Sequence, residues 1–406
     1  MEKRYRFRIY PTEAQEGQIQ RTFSCARFIY NHYLSKRIEY YEKDGSVYSL
    51  FEAAKDLTTL KKTEGYEWLN EADVAALGYA MCDVDNAFKR FFKNVKKGNV
   101  APGFPNFKRG KSSRNSYRCK NRPGRKPGHH HSIEFDGNRV KLPKLSWVKC
   151  KASKMIEGRI VSATVLQNPS GKYFVSIHCM DYEPAPLQKT GKTVGLHLGA
   201  NNLAVTSDNR TFENNKYLKK SRRKLDRLQK RLSRKTGGSN NFEKARLKLA
   251  KAFERVTNQK DDALHKLTTQ LVSEYDTICI RNEQVAKMMT RRPFGKHLSD
   301  ANLGDLARKL AYKCEWYGKT LTKADEMFPS VQTCSSCGYK NTKISKKYAA
   351  KWDCPECGTR HKRAENAAIN NLNEGLRQLS ECGDTSNVGA VREPPNMQNR
   401  RFCGTK

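Results

Sequence analysis

The sequence predicts a multidomain α/β protein, and three observations carry that expectation. Stretches that alternate with period two share the chain with stretches of helical period. Its 406 residues exceed what one core ordinarily holds, and four of its 13 cysteines fall at metal-ligand spacing. Composition then bounds the partner. Lys and Arg number 78 against 41 Asp and Glu, a formal net charge of +37. Self-repulsion on that scale is tolerable when a polyanion neutralises it, and nucleic acid is the favoured polyanion. With 37% hydrophobic residues and a mean hydropathy of −0.83, no apolar run approaches membrane-spanning length. The opening MEKRYRFRIYPTEAQ lacks the apolar core of a secretory signal, so a cytoplasmic location is expected. In that reducing compartment Cys25, Cys82, Cys119, Cys150, Cys179, Cys279 and Cys314 read as small apolar packers.

In chain order, KRYRFRIYP alternates like an edge strand and stops at Pro11. From there to about residue 100 the apolar residues keep helical spacing. Residues 101–190 turn to Gly, Pro and short alternating runs, with NPSGKY reading as a hairpin turn. Within them, residues 104–126 hold nine Lys or Arg and no acid, with Phe104, Phe107 and Tyr117 interleaved. A solvated basic loop is the plain reading. Aromatic rings among the charges favour nucleic-acid contact, making Lys108, Arg109, Arg114 and Arg118 candidates.

VGLHLGANNLAV, residues 194–205, is two hydrophobic runs around a Gly-x-x-x-Gly turn, a hairpin that carries His197. Residues 216–235 place Leu218, Leu225, Leu228 and Leu232 on one helical stripe, which is read as core packing, and surround it with eleven basic residues against Asp226. Few solvated faces are so one-sided, so Arg222, Arg223, Arg227, Arg231 and Arg234 join the candidate nucleic-acid contacts. After the polar break TGGSNN, Phe242, Ala245, Leu249, Ala252, Phe253 and Val256 recur at helical spacing, completing an αα-hairpin. The tail from 381 to 406 has little periodicity and is expected to be disordered.

Cys334-x2-Cys337, sixteen intervening residues, then Cys354-x2-Cys357 give two knuckles, each followed by a glycine (Gly338 and Gly358). Two such knuckles close a tetrahedral four-thiolate zinc site, and a closed shell leaves no position for a reacting water. The expected Zn2+ is structural.

Several motifs occur in an order that resembles the TnpB family of transposon-encoded RNA-guided DNA nucleases, relatives of compact type V CRISPR effectors. They are YRFRIYPTEAQ with CARFIYN, GFPNFKR with SYR, GLHLGANNLAVTSD, LQKRLSRK with NQKDDALHKL, ICIRNEQVAKMM, and CSSCG with CPECGTRHKRAENAAINNL. The resemblance runs from residue 3 to about 375. It implies a β-barrel wedge domain (1–10 and 101–190), a helical recognition domain (11–100) and an RNase H-like RuvC domain (191–327 and 363–380). A four-cysteine zinc ribbon (328–362) would interrupt the last of these. In that family three acids hold two divalent ions that clamp the phosphodiester oxygens. Matched motif by motif, those acids fall on His197, Arg281 and Ala364. The resemblance therefore implies a guide RNA and double-stranded target DNA as partners, one protein per guide, no membrane, no catalytic Mg2+ and a place on the bacterial nucleoid. It looks like a nuclease-dead repressor whose stable R-loop occludes RNA polymerase. Two alternatives stay open: an active RNA-guided endonuclease with displaced ligands, and a guide-free DNA-binding or transposition accessory protein.

Overall fold

Every second side chain of KRYRFRIY is apolar, and the first strand, β1 (Lys3–Tyr10), buries Tyr5, Phe7 and Ile9 while Arg4, Arg6 and Arg8 stay exposed. A computed structural model describes residues 1–98, 101–110, 115–123, 131–282, 300–346 and 350–383. The chain divides into two compact units, Met1–Glu183 with Leu225–Glu254, and Pro184–Lys224 with Arg255–Lys406. Of the expected tail, 384–406 lies outside the described residues.

The first unit is built on a seven-stranded antiparallel sheet. Its further strands are β2 (Asn115–Lys120), β3 (Glu134–Phe135), β4 (Arg139–Leu142), β5 (Ser146–Lys151), β6 (Arg159–Gln167) and β7 (Tyr173–Met180). They lie in the order β2-β6-β7-β1-β5-β4-β3. This corrects two expectations. β1 is an interior strand, paired along one side with β7 and along the other with β5. Alternation reports that one face is wet, which is equally true of a central strand in an antiparallel sheet. The sheet is also not a closed barrel among the described residues. β3 spans two residues and offers no ladder to β2. Just beyond β2, one backbone bond (Ser132 N to Arg122 O, 3.0 Å) and two side-chain bonds join the ends: Ser132 Oγ accepts from Arg122 N (2.8 Å) and Asn121 Oδ1 from Ile133 N (2.9 Å).

Three helices, α1 (Glu13–Asp44), α2 (Leu50–Leu60) and α3 (Val74–Lys96), share one apolar core with this sheet, including Phe7, Phe23, Tyr33, Leu77 and Val175. Thr12 starts α1 through a capping box with Gln15, and Gly45 ends it in the left-handed region at φ 71°. Farther along come the two expected helices, α4 (Tyr217–Ser233) and α5 (Asn240–Glu274). Leu225 of the leucine stripe is fully buried, whereas Leu218, Leu228 and Leu232 are only partly covered. Within the first unit, the Glu254 carboxylate accepts from Lys172 (2.6 Å), Ser170 (3.0 Å) and Asn168 (3.1 Å), fixing the β6–β7 turn.

The second unit holds the strands β8 (Thr193–Leu198), β9 (Asn202–Thr206), β10 (Thr211–Glu213), β11 (Thr277–Arg281) and β12 (Thr320–Ala324) in the order β10-β9-β8-β11-β12. The first three are antiparallel, and β11 runs parallel to both β8 and β12. Both central strands read as near-continuous apolar runs because both their faces are covered. α6 (Leu303–Trp316) is tied to α5 by buried lysines. Lys309 pairs with Asp261 (2.6 Å), and Lys313 donates to His265 O and to the hydroxyls of Thr268 and Thr269. On the other face, α7 (Arg363–Gly383) comes unusually close to the sheet. A Cβ on Gly195 would stand 2.0 Å from Ala368 O, and one on Gly375 would stand 2.3 Å from Cys279 Sγ. Among the described residues, no helix is long and apolar enough to cross a membrane.

This approach yields a sharp expectation. Gly195→Ala should destabilise the protein by about 3 kcal/mol or leave it insoluble, because the obstructing atom is helix backbone that cannot rotate away. Gly237→Ala, where a Cβ meets open space, should leave the thermal unfolding midpoint within about a degree.

Candidate functional site

The ladder between β8 and β11 registers Cys279 with Gly195 and Ile280 with Leu196, so His197 and Arg281 occupy the next position on each strand. Strand alternation puts them on the face of Gly195 and Cys279, the face that α7 covers. Ala364 lies one helical turn before Ala368, whose carbonyl sits over Gly195. All three sequence-predicted positions therefore gather where the C-terminal ends of two parallel strands meet the start of α7. Asn371 locks the register of this packing by donating to Leu196 O (2.9 Å) from a buried position.

The side chains at the three positions are an imidazole, a guanidinium and a methyl group. His197 is partly buried, and burial, followed by the guanidinium charges of Arg281 and Arg363, pushes its pKa down to about 4. Arg363 was not singled out from the sequence. Its signal was available in the Arg that opens the RAENAA segment beside Ala364. Neighbouring acids are engaged elsewhere: Glu365 pairs with Lys362 at 2.8 Å, and Asp208 bonds to the Tyr275 hydroxyl beside Arg210. Asp208 follows Ser207, whose backbone N donates to Gly195 O, at the end of β8 away from His197. Glu283 lies outside the described residues.

The cysteine knuckles form as expected. β13 (Lys351–Asp353) and β14 (Arg360–Lys362) pair antiparallel behind them. The Gly338 and Gly358 N–H groups close the turns onto Cys334 O and Cys354 O at 3.0 and 2.9 Å, at φ 79° and 70°. The four sulfurs lie within 4.8 Å of one another, with Cys334–Cys357 at 3.7 Å and Cys337–Cys354 at 3.6 Å. A tetrahedron of Zn–S bonds of about 2.3 Å has edges of about 3.8 Å, so the donor set fits a structural Zn2+. Buried His361 adds a contact from Nε2 to Cys334 Sγ at 3.0 Å, orienting one thiolate from outside the ligand set. Among the described residues this is the one His, Cys, Asp and Glu group arranged to hold a metal.

The predicted nucleic-acid contacts are dispersed. Arg222, Arg223, Arg227, Arg231 and Arg234 are all exposed along α4. Arg109 is exposed, whereas Lys108 is half-buried with its ammonium 3.8 Å over the Tyr30 ring. Arg118 stands in β2 with its guanidinium 4.8 Å from the Tyr79 ring, and Arg114 lies outside the described residues. Tyr117 corrects an expectation: it is buried edge-on to Phe23 and serves the core. Sequence reading missed a basic row along β1, where Arg4, Arg6 and Arg8 are exposed and Arg8 stands in register with Phe174 on one side and Lys151 on the other. The alternation of KRYRFRIY was the signal for it.

Two measurements check this description. Elemental analysis should find one zinc per chain, and Cys354→Ser or a strong chelator should remove it and lower the unfolding midpoint. A histidine held neutral costs stability as acid protonates the unfolded chain first. Stability should therefore fall by up to about 3 kcal/mol between pH 6.5 and 4, and His197→Asn should abolish that increment in urea titrations.

Family models match this chain in three stretches. One described as "Probable transposase" covers residues 177–292, and "Cas12f1-like, TNB domain" covers 304–371. One described as "Helix-turn-helix domain" covers 1–46, occupied here by β1 and the single long helix α1. A protein of Streptomyces pristinaespiralis named "Putative RNA-guided DNA endonuclease" is 32% identical over 95% of this chain and 92% of its own length. InsQ of Escherichia coli (strain K12), given the same description, is 27% identical over 97% of both chains. Among solved structures, Cas12f1 in a complex with sgRNA and target DNA has a TM-score of 0.57 at 12% identity, covering 92% of this chain and 98% of that one, which is a likeness of fold. Matched nearly end to end by a relative at 32% identity, and by three models in succession, the chain belongs to the TnpB family.

Proposed function

We propose that this protein is guided by RNA to double-stranded DNA, holds an R-loop beside a short recognised motif without cutting either strand, and represses transcription by blocking RNA polymerase. The observation that carries the reading is the trio His197, Arg281 and Ala364, with Arg363 beside them. Mg2+ needs hard oxygen donors. Imidazole, guanidinium and methyl do not fit it. Three carboxylates would give such a site about three negative charges; here the fixed charge at those positions is positive. At about 4 Å and an effective dielectric near 20, each unit pair is worth about 4 kcal/mol, enough to repel a divalent cation.

In this reading the five-stranded sheet unit is an inactive RuvC-like domain, and the zinc ribbon is a structural insert. The seven-stranded unit serves as wedge and recognition domains. The charge of +37 and the exposed arginines of α4 support backbone contacts to guide RNA and DNA. The whole would work on the bacterial nucleoid, one protein per guide. Sequence reading is delegated to base pairing, so the protein needs shape and charge rather than many base contacts. A second reading, an active nuclease with ligands drawn from elsewhere, is favoured by the names of the relatives.

Two experiments decide. RNA co-purifying with the protein should be one abundant species with a variable end, and a plasmid matching that end should be occupied yet stay supercoiled with Mg2+ or Mn2+. Clear nicking would establish the second reading, and the absence of a discrete RNA would point to a guide-free protein. Arg281→Glu should weaken target binding about tenfold and lower the salt dependence by about one phosphate contact without creating cleavage.

A further inference from the structure

The apolar stripe of α3 outruns the core it serves. Leu77, Met81, Val84 and Phe88 are buried, but the stripe continues through half-buried Phe91 to Phe92 and Val95, which are 50% and 48% exposed. The segment after the helix returns beside it. Phe104 sets its ring edge-on to Phe88 and Phe91, at 5.6 and 5.3 Å, yet remains 49% exposed, and Phe107 is 51% exposed. This segment is anchored at both ends. Asn94 Nδ2 donates to Pro102 O (3.0 Å), and Asn31 exchanges two bonds with the backbone of Lys108 (3.0 and 2.8 Å). Rings held outward by a fixed backbone lose little freedom when something stacks on them.

Charge selects what that is. From Asn86 to Ile133 the sequence carries 14 Lys or Arg and not one Asp or Glu. Lys93, Lys96 and Lys97 are exposed on the same stretch as Phe92 and Val95. A second copy of the chain would bring the same charge to the same face and be repelled. A duplex hides the flat faces of its bases. A single strand offers both apolar faces for the rings and phosphates for the cations.

We propose that Phe92, Phe104 and Phe107 form a stacking platform for unpaired bases of a DNA single strand. The identity of the strand rests on the function proposed above: pairing of a guide with one strand of a duplex leaves the other unpaired.

The test uses full-length protein freed of RNA, with anisotropy of a labelled oligo(dT) of about 20 nucleotides as the readout. Phe92→Leu and Phe107→Leu alter exposed rings and should keep the unfolding midpoint, yet each should raise Kd about fivefold or more at unchanged salt slope. Lys93→Gln and Lys97→Gln should instead lower that slope by about one each. Unchanged Kd in both leucine variants would overturn the platform. Equal affinity for oligo(U) would overturn its assignment to DNA, and self-association abolished by the leucine variants would assign the face to a second copy. No guide is present, so failure here leaves guide-directed occupancy of duplex DNA standing. Loss of that occupancy with oligo(dT) stacking intact would fail the earlier reading alone.

Discussion

The closeness of α7 to the five-stranded sheet is the constraint on which the rest of the second unit depends. Two glycines make it possible, Gly195 on the strand and Gly375 on the helix, each leaving room for no further carbon. Helix backbone lying directly on strand backbone fixes both register and depth, and the Asn371 bond to Leu196 O holds that register. The same helix reaches back to the ribbon side. Asn366 and Asn370 donate to Thr333 O at 2.7 and 2.6 Å, next to Cys334. One packing event thus sets the start of α7 against the ends of β8 and β11 and seats the first zinc knuckle.

What gathers at that junction is electrostatically one-sided. A partly buried imidazole there lies within reach of the charges of the Arg281 and Arg363 guanidinium groups. The first unit shows the same sign on a larger scale, with arginines standing outward along β1 and lysines along β5. Farther in, Arg37 meets Asp85 at 3.1 Å.

Legibility from sequence followed the range of the physics. The β6–β7 turn, the hairpin at 194–205 and the cysteine knuckles are local, each set by residues within a few positions of one another, and each formed as read. The three site positions were named one by one from motif resemblance, but nothing local could say that they meet. Arg363 went unnoticed because its importance comes from proximity to His197, across more than 160 residues of chain. Tyr117 was misjudged because interleaved aromatics look alike whether they face the core or the solvent.

By itself the sequence determined the strong excess of positive charge, the cysteine spacing that suits a structural metal, and the types of most elements through their periods. Only the tertiary structure decided that β1 is central rather than peripheral, that the seven-stranded sheet forms no closed barrel among the described residues, and that an imidazole and two guanidinium groups share one junction. The reason is that period and propensity act over a few residues, whereas pairing partners, sheet closure and the company a charge keeps depend on which distant segments are brought together.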